Sequence, residues 1–211
     1  MKSTIINQEG VFIAKTTTDV KETKTSKTKK DTWSKKKWYS IMAPEFLGGK
    51  KVAETLSLKD KDVIGRVLVL PLSEITGSFR DFKVKVKMRI YEIKGDEAHT
   101  EYVGQELLRD QILRTVRRWS SRIDSNDKVK LKDSKDYRIK SLTVTRRRVK
   151  TSIKDEIRHA VSLGIKEYAS SRSTDQVVMD VNSSKLQKTI ENNVKKIYPV
   201  RAVEIRMIEK V

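Results

Sequence analysis

The sequence predicts an α+β fold in which an antiparallel sheet packs against helices. Three observations carry this prediction. Several stretches alternate apolar and polar residues with period two, which is typical of strands, and others space apolar residues by three and four, which is typical of helices. Along the chain the predicted order is strands, a helix, strands, helices and one final strand, with no repeat of fixed period.

The clearest strand runs from Phe82 to Ile90. Its apolar residues are Phe82, Val84, Val86, Met88 and Ile90, and basic residues occupy every position between them. Successive side chains of a strand point to opposite faces, so this pattern gives one core face and one cationic face. Like charges in a row repel one another, so the face suits a polyanionic partner; a solvated sheet face is the alternative.

Composition also favours a polyanion. The 211 residues carry 47 Lys and Arg against 28 Asp and Glu, for a formal charge of +19. Such an excess indicates nucleic acid before a membrane surface. No apolar run reaches the ~20 residues that cross a bilayer, and no signal peptide is evident. The absence of cysteine excludes disulfides and thiolate metal sites, so we expect a cytoplasmic protein without bound metal or cofactor.

Residues 1–32 form a basic, Thr/Lys-rich arm, and residues 33–211 are predicted to be a single α+β domain that binds RNA. The run from Lys15 to Thr32 has no aromatic residue, so we expect the arm to be disordered when free. It would fold against RNA or act as a solubilising tail.

The domain opens with aromatic residues around a lysine triplet. Trp33 and Trp38 flank Lys35, Lys36 and Lys37. Aromatic rings there could stack on bases while the ammonium groups meet phosphates. The alternative is that Trp38 and the adjoining tyrosine anchor the start of the domain in its core.

Two strands and a hairpin are predicted around the cationic strand. Lys51 to Leu58 reads as a short strand, and Val63 to Leu70 as a strand buried on both faces, interrupted at Arg66 and ended by a proline. Gly95-Asp96 predicts a hairpin turn, with His99 to Val103 as the returning strand.

The first long helix is predicted over Gly104 to Ile123. Leu108, Ile112, Val116, Trp119 and Ile123 form an apolar stripe, and the arginines lie mostly off it. Asn126-Asp127 would break this helix. Two strands follow, Val129 to Lys132 and Tyr137 to Val144, joined by a turn at Asp133-Ser134, with a bulge near Lys140-Ser141.

Three further helices and a strand complete the chain. The second helix has the apolar face Ile153, Ile157, Val161, Gly164 and Tyr168, with a cap at Ser152 and Asp155. A short helix covers Thr174 to Val181. The next carries Leu186, Ile190, Val194 and Ile197, with a capping box at Ser184 and Gln187 and an end before Pro199. Val203, Ile205 and Met207 mark the last strand.

Catalytic constellations are scarce. His99 and His159 are the only histidines, and no phosphate-binding loop is present. Asp81 with Glu92 and Lys94 has the order of acids and lysine that some metal-dependent nucleases use. One strand between Asp81 and Glu92 would separate them by roughly 35 Å, too far to share a metal. We therefore expect no enzyme.

Ordered motifs resemble the archaeal and eukaryotic small-subunit ribosomal protein family S3Ae. They are Ser34-Lys35-Lys36-x-Trp38-Tyr39, Ala43-Pro44, Gly65-Arg66-Val67, Phe79-Arg80-x-Phe82-Lys83, Gly104 with Leu107, Arg109 and Asp110, the run Arg146 to Arg148, and Ile197-Tyr198-Pro199. The likeness covers about 34–211, and the early end of the chain after its last strand resembles the archaeal form.

The resemblance implies a partly barrel-like α+β domain on the platform of the small ribosomal subunit. It would lie near the mRNA exit and the 3′ region of the small-subunit rRNA, beside other ribosomal proteins. At that position it could also contact mRNA. We expect a structural, rRNA-binding constituent that supports translation, binds no membrane and does not form a homo-oligomer. The alternatives are a free RNA- or DNA-binding chaperone, a chromatin protein, or a metal-dependent nuclease.

Phosphate contacts should dominate binding. The candidate RNA-binding residues are Lys35, Lys36, Lys37, Trp38, Arg66, Arg80, Lys83, Lys85, Lys87, Arg117, Arg118, Arg146, Arg147 and Arg148. Arg66 and Arg80 are the motif positions where bidentate contacts are expected, because a guanidinium fork fits phosphate geometry.

Overall fold

A computed structural model describes residues 33–211, which form an α+β fold as predicted. The predicted arm, residues 1–32, lies outside the described residues. The strands are β1 (Lys37–Met42), β2 (Lys51–Ser57), β3 (Val67–Pro71), β4 (Val84–Lys94), β5 (Glu97–Leu107), β6 (Arg122–Lys130), β7 (Asp136–Thr145) and β8 (Val200–Lys210). The α-helices are α1 (Leu72–Thr76), α2 (Arg109–Thr115), α3 (Thr151–Ser170), α4 (Thr174–Asn182) and α5 (Lys185–Lys195).

All eight strands belong to one open sheet. Six of them follow the order β2-β1-β5-β8-β7-β6, while β4 pairs with β5 and carries β3 on its other side. Every pairing is antiparallel except that of β1 with β5. The central strand β5 serves three partners, pairing near its start with β1 and near its end with β8. Within residues 33–211, β5 therefore links three parts of the sheet, which does not close into a barrel.

The main core includes sheet residues and the apolar faces of α3, α4 and α5. Ile157, Val161 and Ile165 of α3 and Ile190 of α5 are buried in it with strand residues such as Ile139. These helices confirm the spacing of three and four in the sequence. No helix in the described part of the chain is long and apolar enough to span a membrane.

Strand β4 confirms the predicted alternation over most of its length. Val86, Met88 and Ile90 are buried, whereas Lys85 and Arg89 between them are exposed. The predicted start of the strand is wrong, because Phe79–Lys83 is a 3-10 turn. Phe82 stays 54% exposed and its ring stacks on that of Phe79, with centroids 6.1 Å apart, instead of entering the core.

The predicted helix over Gly104 to Ile123 is also wrong. Gly104 lies in β5 against the backbone of β8, and a Cβ there would stand 2.3 Å from the Ile208 carbonyl oxygen. Only α2, Arg109–Thr115, is helical in this stretch. Ile123 belongs to β6, where Asn126 and the next residue continue the strand instead of breaking a helix. Pairing with β7 outweighs the local helical spacing.

The predicted strand from Val63 to Leu70 is shorter than expected and is not buried on both faces. Only Val67–Pro71 is a strand, and among the described strands it pairs with β4 alone. Val67 and Val69 point outward and are about half exposed. Buried Val63 precedes the strand, in a loop, and packs with Ile90 in a smaller core cluster.

The predicted turns and bulge are confirmed, whereas the two predicted helix caps are wrong. The Gly95-Asp96 hairpin and the β6–β7 hairpin are present, and the β7–β8 register shifts between Lys140 and Ser141, where the bulge was predicted. Ser152 lies inside α3, whose cap position is Lys150. Ser184 adopts a left-handed conformation without a side-chain cap bond, and Gln187 donates instead to the Val181 carbonyl. Ile197 lies beyond α5 and is 40% exposed.

Candidate nucleic-acid interface

Several connections meet at one end of the sheet, hereafter the arginine end. The pairs Arg122 with Val144 and Thr145 with Val200 place the start of β6, the end of β7 and the start of β8 side by side. The segments 116–121, 146–150 and 196–199 therefore lie at the same end, and the Arg146 amide donates to the Pro199 carbonyl at 3.3 Å.

A hydrogen-bonded clamp joins two of these segments. The Ser121 amide donates to Thr145 Oγ1 at 3.0 Å, and the Thr145 amide donates to the Ser121 carbonyl at 3.0 Å. The Val149 amide donates to Ser121 Oγ at 3.2 Å. Both clamp residues are buried, so backbone amides and hydroxyls that water cannot reach are satisfied there.

The clamp brings together arginines that are about thirty positions apart in the sequence. Arg117 and Arg118 precede it on one segment, and the run Arg146, Arg147 and Arg148 follows it on the other. All five side chains are exposed. Their guanidinium groups are always charged and present forks of donors, which makes the arginine end suitable for phosphate groups.

Trp119 is a further candidate, and the helical spacing that predicts it to be buried is wrong. It is 73% exposed, with a positive φ of 65° in the loop between α2 and β6. The Arg148 guanidinium carbon lies 5.0 Å from its ring centroid, a cation–π contact across the two segments. A sequence signal for Trp119 exists, because Arg117 and Arg118 directly precede it. The same pattern, an aromatic residue next to basic ones, made Trp38 a candidate for stacking on bases.

The lysines of the cationic strand do not share one bare face. Lys85 is exposed on β4, but Lys87 forms an ion pair with Glu106 of β5, with 3.3 Å between Nζ and Oε2. Lys83 lies in the preceding turn and is half-buried. Burial raises the pKa of Glu204, and the nearby charge of Lys83 partly opposes that rise.

The lysine triplet lies away from the arginine end. The parallel pairing of Ser40 with Glu97 puts the start of β1 beside the β4–β5 hairpin, at the opposite end of the sheet. Lys35 and Lys37 are exposed there, and Lys36 Nζ lies 4.3 Å from the Trp33 ring centroid. Trp38 is 61% exposed, while Tyr39 alone is buried in the core.

Arg66 is largely engaged by its own chain. Its Nε donates to the Asp62 carbonyl at 2.8 Å, and its Nη1 donates to Thr55 Oγ1 at 2.6 Å and to the Leu56 carbonyl at 3.1 Å. These bonds tie the loop before β3 to β2. The backbone of Arg80 lies in the turn before β4, and its side chain is outside the described residues.

The nuclease alternative gains no support from the geometry. Asp81 precedes β4 and accepts a hydrogen bond from Thr76 Oγ1 at 2.8 Å, whereas Glu92 lies near the other end of that strand. The eight residue-to-residue steps of extended strand from Val84 to Glu92 alone span roughly 26 Å. Within residues 33–211, no three His, Asp or Glu side chains cluster as metal ligands would.

Comparison with known proteins agrees with the motifs in the sequence. Residues 24–211 match the sequence model of the ribosomal S3Ae family. The chain is similar to small ribosomal subunit protein eS1 of Methanobrevibacter smithii, with 34% identity over 176 residues that cover 83% of this chain and 91% of the relative. The corresponding protein of Archaeoglobus fulgidus is 36% identical over 182 residues, covering 85% and 86% of the two chains. The chain belongs to the ribosomal S3Ae family.

Proposed function

We propose that the chain is a structural constituent of the small ribosomal subunit that binds small-subunit rRNA on the platform near the mRNA exit, in the cytoplasm. Membership of the S3Ae family makes it a ribosomal protein and not an enzyme. Similarity to the archaeal eS1 proteins supports the subunit, and the surface of the molecule supports the ligand.

The arginine end is the observation that carries rRNA binding. Two arginine runs from distant parts of the chain lie on adjacent loops, and the clamp at Ser121 and Thr145 fixes them to the rigid sheet. Because the clamp fixes the backbone of both runs, binding to a phosphate backbone orders the arginine side chains but not the loops that carry them. Binding also releases condensed counterions from the RNA, which favours association at low salt.

Trp119 could stack on an unpaired base, a contact that the paired bases of double-stranded RNA cannot make. An exposed ring among arginines can stack on an unpaired base while the neighbouring cations neutralise the flanking phosphates. Trp119→Ala should weaken binding by about 1–3 kcal/mol if a base stacks there. Leu113→Ala, at a residue that is 64% exposed on the neighbouring helix, is the matched control and should leave affinity unchanged.

Salt-dependent binding to a small-subunit rRNA fragment tests the arginine end. The variant changes Arg146, Arg147 and Arg148 to Gln. The control changes Lys128, Lys130 and Lys132 to Gln, which removes the same charge from exposed positions nearer the other end of the sheet. The arginine variant should reduce the slope of log K against log salt by about 2–3 units. Equal slopes in the variant and the control would refute a specific role for the arginine end.

A further inference from the structure

A half-open cavity of about 450 Å³ lies at the end of the sheet opposite the arginine end. It is enclosed by the segment after β1, the middle of β5, the β6–β7 hairpin and the start of α4. Its aromatic lining consists of Phe46, Tyr91, Tyr102 and Tyr137, and the Phe46 and Tyr102 rings meet edge to face at 5.9 Å. This volume is within the range of pockets that enclose a ligand.

The charge of the cavity is opposite to that of the chain. Glu45, Glu101, Asp133 and Asp175 line it, and Lys135 is the one lysine or arginine in the lining. Two of the carboxylates have partners within the chain: Glu101 accepts from Lys210 at 2.8 Å, and Asp133 accepts from the Thr174 amide at 2.8 Å. Glu45 and Asp175 are exposed and form no ion pair with the other described residues.

A buried hydroxyl lines the same cavity. Tyr102 is only 3% exposed, and its hydroxyl oxygen has no hydrogen-bond partner within residues 33–211. A buried polar group without a partner is costly, so a ligand that hydrogen-bonds to it gains affinity. A phenolic oxygen and carboxylates share one property: they all accept hydrogen bonds.

We propose that this cavity binds an arginine side chain of a neighbouring basic protein. A guanidinium group has only donors, carries a permanent positive charge and stacks on aromatic rings, so it matches the carboxylates, the Tyr102 hydroxyl and the aromatic walls together. The two free carboxylates repel phosphate, which disfavours RNA inside this cavity. The inference goes beyond the proposed function, because it adds a protein-binding cavity to the arginine end that would bind rRNA.

Titration of the folded full-length chain with the tripeptide acetyl-Gly-Arg-Gly-amide tests the proposal. Amide resonances of Tyr91, His99 and Thr100, observed by two-dimensional NMR, should shift saturably. The double variant Glu45→Gln/Asp175→Asn should weaken the affinity at least about threefold, as the loss of exposed ion pairs predicts. The matched control is Glu156→Gln, which removes one charge at an exposed position near the start of α3, whereas the cavity lies beyond the other end of that helix. This control should bind like the wild type.

Three further probes separate the proposed ligand from others. The citrulline tripeptide has the same shape without the charge and should bind at least about threefold more weakly. Spermidine and adenosine monophosphate should shift these resonances less than the arginine peptide does at equal concentration. The proposal is overturned by no saturable shift with the arginine peptide, by unchanged affinity of the double variant, or by a stronger response to citrulline, spermidine or the nucleotide.

Discussion

Single residues decide whether the strands of this sheet can meet. At Gly104 the β8 backbone approaches so closely that a Cβ would stand 2.3 Å from the Ile208 carbonyl oxygen. We predict that Gly104→Ala lowers the free energy of unfolding by about 1–3 kcal/mol, because backbone must shift to accept the methyl group. Urea denaturation measures the change.

Gly164 supplies the matched control for this prediction. It lies within α3, and a Cβ there would make an ordinary contact of 3.6 Å with Ile190 Cγ1. Gly164→Ala should therefore stabilise the protein by roughly 0.5–1 kcal/mol, the usual cost of glycine in a helix. Equal effects of the two alanines would show that the contact between β5 and β8 is not tight.

Glu204 gives the protein a pH dependence of its own. Burial raises the pKa of its carboxyl group, so the folded state binds this proton more readily than the unfolded state. Ionisation of Glu204 therefore costs stability as pH rises through the folded pKa. We predict that Glu204→Gln raises the melting temperature at about pH 7, and that the gain disappears below about pH 4, where the wild-type carboxyl is protonated in both states. A gain that is the same at both pH values would contradict this explanation.

Among the elements, β4 gives the clearest separation of stability from binding. Lys85→Gln/Lys87→Gln removes two charges from its outer face and breaks the ion pair with Glu106. Unfolding free energy should fall by at most about 1 kcal/mol. The salt slope of rRNA binding should shrink by about 1–2 units if these lysines meet phosphates.

Val86→Asp tests the opposite face of the same strand. Val86 is fully buried, so an unpaired carboxylate there should unfold the protein, as circular dichroism would show. If instead the lysine double variant unfolds while Val86→Asp folds and binds RNA, the two faces of β4 have been assigned the wrong way round.

Elements whose local pattern agreed with their tertiary pairing were predictable from sequence. The strict alternation of apolar and basic residues predicted β4, and the apolar face at helical spacing predicted α3. β6 did not, because two of its inward positions are Ser125 and Asp127; these bond to each other at 3.1 Å, and Ser125 also bonds to Ser141 at 2.7 Å. Polar residues at core positions conceal the period of a strand.

The candidate site shows the same division. Both arginine runs were recognisable as basic clusters, but their meeting depends on the register of β6 against β7. Trp119 was misassigned because its spacing fits a helical stripe, and only the backbone conformation of the loop exposes it.

For the molecule as a whole, the distribution of charge predicts how binding responds to salt. With roughly six or more phosphates neutralised, affinity for a small-subunit rRNA fragment should fall about a thousandfold between ~50 and ~200 mM salt. Filter binding across that range checks the prediction. A nearly flat response would mean that the basic surface is only a solvated one.

We propose that the chain works as part of the small ribosomal subunit and not as a free RNA- or DNA-binding chaperone or chromatin protein. Sucrose-gradient sedimentation of a cell lysate, with the chain followed by antibody, distinguishes these functions. We predict comigration with small subunits that persists through a moderately high-salt wash, while ribonuclease digestion of the rRNA releases the chain. Recovery at the top of the gradient, or with DNA after the same wash, would contradict the claim.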